Sequence, residues 1–285
     1  MATGQTLYSD ISALVNNIQE GSLMTLRQTN VLLNTVTVMS ASGMNPRIGY
    51  DWGSLSVKAV GEGDDVAPEQ FDKSLRVTLT PSRKAAQVFL SDQRLASDWE
   101  GVQEASSMEL GATFASHVDT TLTGHFSSLT GGTVGTAGSA LTWNNVFDAH
   151  AILHAASVPG PYFCVLHTYQ YLDLVKEVVT NSSGSFQRSQ AFNDTIIQRY
   201  FVNSLMGDVV FAVTGNVSVD GSDDATGAMY GRQAIAYDLR RAFNIRPERD
   251  ESREGFELNS SLWYASGVWA AARGVQIISD AAAPS

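Results

Sequence analysis

The first apolar pattern in the chain predicts a short amphipathic helix. Its members fall at helical spacing between a Ser-Asp cap and the stop signal Gly21: Ile11, Leu14, Val15 and Ile18. A helix of about three turns is marginal in water by itself, so this stripe needs another surface to cover it. That surface belongs either to the same chain or to a neighbouring subunit, and we expect Ile11, Leu14 and Ile18 to form subunit contacts.

After a strand pattern at 35–39, the segment 59–94 predicts a long two-stranded arm. An acidic, glycine-containing entry, Gly61–Glu69, precedes an alternating strand around Leu75 and Leu79. Pro81 and Ser82 then form a turn, and a second alternating strand runs through Val88 and Leu90. Because an isolated hairpin is barely stable, we expect this arm to rest on another element, plausibly on another subunit.

The pattern then changes to one long helix from Asp98 to about Phe126. Its apolar positions form a slowly drifting stripe: Trp99, Val102, Leu110, Phe114, Val118, Leu122 and Phe126. Nearly thirty residues at 1.5 Å each span about 40 Å, which is longer than most globular helices. The helix is therefore expected to act as a structural spine.

The rest of the chain predicts an αβ region followed by strands. A helix from the Thr142 cap to Ala156 is followed by a strand at 162–166, a helix at 168–179 and a strand at 209–213. The inward side of the second helix is predicted to carry Leu172, Val175 and Val179. The polar segment 180–192 is predicted to be an exposed loop, and 228–279 alternates as strands do.

Composition describes a protein with room for extensive contacts and little affinity for phosphate. The 285 residues are 44% hydrophobic and only 16% charged, with a formal net charge of −11. Low surface charge favours large interfaces, and an acidic balance disfavours tight binding to nucleic acid. No apolar run reaches the length of a membrane span and no secretory signal is recognisable, so we expect a protein made in the cytoplasm without a membrane partner.

Candidate catalytic and metal-binding groups are few. His150 and His154 stand at zinc-binding spacing on a predicted helix, but a third ligand is not evident, so packed histidines are the favoured interpretation. Cys164 and His167 are close in sequence, yet the thiol is expected to be a small buried hydrophobe. The sequence therefore predicts no catalytic residues, no cofactor and no bound metal.

Two glycine-containing segments give equally weak signals for ligand binding. The tract 131–138 lacks the Lys-Ser/Thr that completes a phosphate-binding loop, and the acidic segment 220–231 departs from a calcium loop at its sixth and twelfth positions. A nucleophile motif in a strand-turn-helix setting is also missing, which disfavours a hydrolase of α/β type. A turn and a solvated loop are the favoured interpretations.

Charge in the predicted arm is separated by sign along the chain. The acidic residues come first and the basic residues later: Glu62, Asp64, Asp65, Glu69 and Asp72, then Lys73, Arg76, Arg83, Lys84 and Arg94. Both groups could be solvated loop faces. Alternatively, they fix the register between neighbouring subunits, because complementary charge controls orientation and partner choice.

Taken in order, these elements resemble the Hong Kong 97 fold of the major capsid proteins of tailed double-stranded DNA bacteriophages. Segment 61–69 resembles the acidic entry to that family's extended loop, and Leu90–Leu95 resembles the exit into the spine helix. The stretch 131–143 is similar to the passage from spine to axial domain in one branch of the family. The stretch 228–237 with Gly274–Ile278 is similar to the closing strands of the family.

The resemblance implies an α+β fold whose parts can be assigned to ranges. These are an N-terminal arm (1–34), peripheral-domain strands (35–58), an extended β-hairpin loop (59–94), the spine helix with more of the peripheral domain (95–140), an axial domain (141–245) and C-terminal strands returning to the peripheral domain (246–285). It implies a non-enzymatic protein of the virion, assembled in the host cytoplasm.

The resemblance further implies a homo-oligomer, with hexamers and pentamers forming an icosahedral shell around double-stranded DNA that is enclosed without sequence-specific binding. Portal, scaffold and decoration proteins are possible further partners. Some relatives crosslink subunits through a Lys-Asn isopeptide bond; Lys73 and Lys84 lie in the arm without a matched Asn and acid, so no such bond is expected. The alternative is an encapsulin-type bacterial compartment, which resembles the same fold but packages an enzyme.

Overall fold

The structure is a computed structural model, and it describes residues 18–22, 25, 30–52, 55–63, 65, 66, 68–70, 72–97, 99–180, 204, 205 and 208–284. Two sheets, a two-stranded ribbon and four α-helices after residue 90 organise this part of the chain, and residues 18–22 and 25 are helical as well, so the helix continues past the stop predicted at Gly21. The strands are β1 (Thr37–Ser40), β2 (Arg47–Trp52), β3 (Lys73–Leu79), β4 (Ser82–Ser91), β5 (Thr133–Gly135), β6 (Tyr162–Leu166), β7 (Ser204–Leu205), β8 (Val209–Val213), β9 (Asp224–Gly231), β10 (Ile235–Asp250), β11 (Gly255–Val268) and β12 (Gly274–Asp280). The helices are α1 (Asp92–Ser97), α2 (Trp99–Thr123), α3 (Trp143–Ala155) and α4 (Thr168–Thr180).

A four-stranded sheet in the order β1-β10-β11-β4 carries the long helix α2 on one face. The helix buries the apolar stripe that the sequence predicted, including Leu110, Phe114 and Leu122. These side chains share one core cluster with Leu258 and Leu262 of β11. At 25 residues, α2 is about 37 Å long, so the prediction of a long helix here is confirmed.

A six-stranded sheet in the order β5-β12-β9-β6-β8-β7 forms the second layer, with α3 and α4 packed against it. The Thr142 side chain accepts a hydrogen bond from the Asn145 N–H, as its predicted N-cap role requires. Strand β6 is buried along its whole length, which explains its unbroken apolar sequence. The glycine tract after α2 supplies β5, which pairs in parallel with β12.

The predicted pairing within the arm is wrong. Strand β3 pairs with β2, and β4 pairs along ten residues with β11, from Ser82↔Tyr264 to Ser91↔Gly255. Two features account for the difference: β2 is available as a partner for β3, and pairing with β11 brings Val88 and Leu90 of β4 against the core under α2. The extended two-stranded element is therefore β2–β3, with residues 53–72 connecting its strands at the outer end.

Three finer expectations also need correction or qualification. Strand β10 starts at Ile235 and therefore crosses the expected boundary between the axial domain (141–245) and the C-terminal strands (246–285). Strand β12, expected in the peripheral domain, pairs with β9 in the six-stranded sheet. In the described part of α4 the fully buried side chains are Gln170 and Leu174, whereas Leu172 and Val175 are only partly buried. The side chain of Val179, also predicted to point inward, is outside the described part. Of the loop predicted at 180–192, Thr180 is the last residue of α4, and 181–192 lie outside the described residues. None of the described helices combines the length and apolar character that crossing a membrane would demand.

Candidate assembly surface

The β2–β3 hairpin presents one apolar face to solvent. Ile48, Tyr50 and Trp52 alternate along β2, and Leu75 lies directly across from Tyr50 on β3, so their side chains share a face. Leu75 is 65% exposed, Trp52 53% and Ile48 45%. Beyond the strands, the connecting segment adds further exposed apolar side chains: Leu55, Val57, Val60 and Val66. Several large apolar side chains exposed on one face of a hairpin and on its connecting segment are typical of a site of protein contact.

Among the described residues, the opposite face of the hairpin contacts the four-stranded sheet at its inner end. Leu79 is buried with Ala236 of β10 and Ala265 of β11, and Val77 and Trp269 pack against this small cluster. A Cβ atom on Gly267 would lie 2.6 Å from the Leu79 side chain, so the glycine is what lets Leu79 approach β11. The hairpin is thus fixed at its base and projects from it.

An ion triad ties the base of the hairpin to β10. The Asp238 carboxylate is fully buried and accepts hydrogen bonds from Arg47 Nε at 3.0 Å and from Arg240 Nη2 at 2.6 Å. Arg240 also donates to the Gly43 carbonyl, and Arg47 donates to the Ser40 carbonyl. One carboxylate therefore holds together β10, β2 and the loop between β1 and β2.

Local contacts order the hairpin and its acidic loop. Lys73 Nζ lies 3.4 Å from the centre of the Tyr50 ring, which covers one edge of the apolar face with a cation. In the loop, Glu69 accepts hydrogen bonds from the Ser56 N–H and hydroxyl and lies 3.1 Å from Lys58 Nζ. The hydrogen bonds from Ser56, followed by that from Lys58, lower the pKa of the Glu69 carboxyl below its usual range.

The acidic and basic residues singled out in the sequence do not form one cluster within the chain. Glu62 and Asp65 are exposed on the loop. Arg76 lies 4.0 Å from Asp51 and over the Trp269 ring, and Lys84 is on the α2 side of β4 beside His117. Exposed positions on β4 and α1 carry Arg83 and Arg94. Ile11, Leu14 and Asp64 lie outside the described residues.

The described residues of the N-terminal segment, Ile18, Val31 and Leu32 among them, contact α2 within the same chain. Ile18 is fully buried in the same core as Leu110 and Phe114. The buried Asp119 carboxylate of α2 accepts hydrogen bonds from the N–H groups of Val31 at 3.2 Å and Leu32 at 3.3 Å. Burial raises the pKa of the Asp119 carboxyl above its usual range, although those N–H groups oppose the rise.

This carboxyl should make the stability of the dissociated subunit depend on pH. Because the folded chain holds the Asp119 proton more tightly than the unfolded chain, protonation adds stability that is complete below the unfolded value of about 3.8. That stability is lost as pH rises through the folded-state pKa. Urea unfolding of the parent and of Asp119→Asn should show the parent's relative stability falling as pH rises above about 4 and levelling off once the folded-state carboxyl has ionised. A difference independent of pH would contradict this assignment.

The remaining candidate groups have structural roles in the six-stranded layer. Cys164 is fully buried in β6 and burial raises its thiol pKa, so its interpretation as a packed hydrophobe is confirmed. Desolvation lowers the pKa of His167, whose Nδ1 accepts a hydrogen bond from the Tyr169 N–H. His150 stacks on His154 and its Nε2 lies 3.4 Å from Asp208, a neighbour that sequence spacing did not reveal.

The acidic segment that resembles a calcium loop is a tight turn before β9. Asp220 Oδ1 accepts hydrogen bonds from the N–H groups of Ser222 at 2.8 Å and Asp224 at 3.0 Å. The Asp224 carboxylate in turn accepts one from the Gly138 N–H. These side chains are thus engaged in holding the turn and in linking it to the loop between β5 and α3.

The residues that the sequence did not reveal at all are those of the ion triad and the β2 face. Asp238 lies in a stretch whose alternation predicts a strand, and a charged residue in such a strand is normally expected to face solvent. The signal that could have been used is the pattern Ile48, Tyr50, Trp52, three large apolar residues alternating with small or charged ones. Because Gly49 and Asp51 disfavour strands, this short alternation is a weak signal in the sequence.

Comparison of the structure with solved ones gives a consistent result, whereas no family model and no curated protein matches the sequence. A chain of Mycobacterium phage Che8 aligns at 17% identity with a TM-score of 0.64, covering 97% of this chain and 92% of that one. The capsid of cyanophage P-SCSP1u aligns at 13% identity with a TM-score of 0.62, covering 87% of both chains.

A third similar structure is a virus-like particle from Pyrococcus furiosus. It aligns at 11% identity with a TM-score of 0.60 and covers 92% of this chain and 98% of that one. Nearly the whole chain is therefore spanned by each of the three alignments. At these identities the likeness concerns the backbone arrangement, and the chain has the fold found in these phage capsid and virus-like particle subunits.

Proposed function

We propose that this protein is the major capsid protein of a tailed bacteriophage, a structural subunit that self-assembles into an icosahedral shell around double-stranded DNA. The observation that carries the proposal is the exposed face of the β2–β3 hairpin, an apolar surface on an element anchored only at its base. An isolated subunit exposing it would gain by burying it against another copy. The capsid fold of the similar structures supports the same conclusion.

We assign the parts of the proposed subunit to the sheets as follows. The four-stranded sheet with α2 as spine helix is the peripheral domain, and the six-stranded sheet with α3 and α4 is the axial domain. The β2–β3 hairpin with residues 53–72 is the extended loop. Heterologous contacts between identical subunits close into rings when the rotation allows it, and a projecting loop that reaches the next copy suits such rings of six and five.

The second candidate is an encapsulin-type compartment, favoured by the similarity to the Pyrococcus furiosus virus-like particle. The two candidates share assembly and differ in cargo. Neighbouring terminase, portal or tail genes would identify a phage, whereas a neighbouring peroxidase or ferritin-like gene would identify a compartment. Particles isolated from the native source would contain DNA in the first case and a packaged protein in the second.

Assembly itself is tested by expressing the chain and imaging it. We expect closed shells by negative-stain microscopy and species far above 30.6 kDa by light scattering, without hydrolase turnover. A monomer that stays dispersed at high concentration, with or without a scaffold protein from the same genome, would contradict the proposal.

A further inference from the structure

The face of the four-stranded sheet that points away from α2 carries an arginine cluster. Arg83 of β4 and Arg241 of β10 lie directly across from Trp263 of β11, on its two sides. Arg246 follows on β10 across from Asn259, four residues along β11 from Trp263. Directly opposed residues in a sheet share a face. We call Arg83, Arg241 and Arg246 the arginine face.

The opposite side of the same strands establishes which face this is. Leu258, Leu262 and Tyr264 alternate with the residues just named and are buried against α2, where the Tyr264 hydroxyl lies 3.2 Å from Thr121 Oγ1. The inner part of the face away from α2 is covered by the hairpin base, through Ala236 and Ala265. The outer part, where the arginine face lies, has no such cover from the described residues.

The three arginines are exposed, and their guanidinium groups make no ion pair or hydrogen bond with any residue that the structure describes. Two acidic residues at the outer end of the same face, Glu248 and Glu257, interact with side chains other than these three arginines. Glu257 interacts with Gln87 and Arg253, and Glu248 accepts a hydrogen bond from Asn259. Three unpaired cations on an acidic protein of net charge −11 indicate a site for an anionic partner.

The same chain offers matching anions on its projecting loop. Glu62, Asp65 and Asp72 are exposed and likewise make no ion pair within the described chain, whereas Glu69 is paired with Lys58. We infer that the acidic loop of one copy lies on the arginine face of a second copy. This inference rests on the proposed function and identifies the receiving surface and the charges that set its register.

The way the hairpin base covers this sheet favours a second copy of the chain, and not nucleic acid, as the partner that occupies the arginine face. Each copy already covers the inner half of this sheet face with the base of its own hairpin. The hairpin of a neighbour placed on the outer half continues that layer and brings apolar residues such as Ile48 and Leu75 out of water. A phosphate chain would supply negative charge and leave those apolar side chains exposed.

Charge reversal tests the inference. The face variant is Arg83→Glu/Arg241→Glu, the loop variant is Glu62→Lys/Asp65→Lys, and the combined variant carries all four changes. Facing like charges should lower the yield of closed shells by at least about tenfold in the face and loop variants, and the combined variant should recover it to within about twofold. Lys176→Glu/Arg273→Glu is the matched control on other surfaces, with shell yield unchanged.

Thermal unfolding of dissociated subunits should show all variants folded, so that the yields report contacts between copies. A face variant that assembles like the parent would overturn the inference while leaving the proposed function intact. A combined variant that assembles as poorly as the face variant and the loop variant would also overturn the inference. A face variant that forms normal shells but loses bound nucleic acid would assign the arginine face to phosphate instead. If the parent itself forms no shells, both proposals fail.

Discussion

Replacing Asp238 with alanine is expected to destabilise the dissociated subunit by about 3 kcal/mol, because it leaves the largely buried Arg240 without its counter-charge. The Asp238 side chain is fully buried and joins Arg47 and Arg240, so both arginines lose their shared acceptor at once. Urea unfolding followed by circular dichroism measures the change. Since Arg47 is on β2, the hairpin base should also become susceptible to proteolysis.

The matched control for this effect is Asp51→Ala on the same strand pair. Asp51 is 65% exposed and lies 4.0 Å from Arg76, so its ion pair is screened by water. Its loss should cost less than about 1 kcal/mol. Equal effects of the two substitutions would show that burial of the triad is not what stabilises the base of the hairpin.

The second large effect concerns assembly. The double variant Ile48→Glu/Leu75→Glu is expected to abolish shell formation, because two charges placed on the apolar face would have to be desolvated at the contact. The dissociated subunit should keep its stability to within about 0.5 kcal/mol, since both positions are exposed on the chain itself. Light scattering and negative-stain microscopy measure the first quantity, and urea unfolding measures the second.

Exposed apolar residues elsewhere provide the comparison for this variant. Met108 of α2 and Val219 before β9 are 51% and 38% exposed, so Met108→Glu/Val219→Glu introduces the same charges outside the hairpin. We expect this control to assemble. If Ile48→Glu/Leu75→Glu forms shells as well as this control does, the apolar face is not part of the contact between copies.

Much of the fold could be predicted from the sequence wherever one element buries one clear stripe. The periodicity of α2, the Thr142 cap of α3 and the continuous apolar run of β6 each specify their element locally. The pairing of β3 and β4 could not be predicted in this way. A strand's partner depends on which distant strand completes its core, and β4 gains the core under α2 only through β11.

The exposure of the acidic loop agrees with the sequence pattern, whereas the role of the charges along 59–94 in subunit contacts stays a prediction. The pattern did not distinguish β3, which lies in the projecting hairpin, from β4, which lies in the four-stranded sheet. The buried triad could not be anticipated, because Asp238 and Arg240 stand 191 or more residues from their partners Arg47 and Gly43 along the chain. Likewise, the arginine face combines β4 with β10, which become neighbours only across β11.

The most direct test is an electron cryo-microscopy reconstruction of particles assembled from this chain. The density should show the β2–β3 hairpin and its connecting loop resting on the sheet of the adjacent subunit, with Ile48 and Leu75 covered. Density that follows the hairpin back onto its own subunit, or preparations containing only single subunits, would contradict the account.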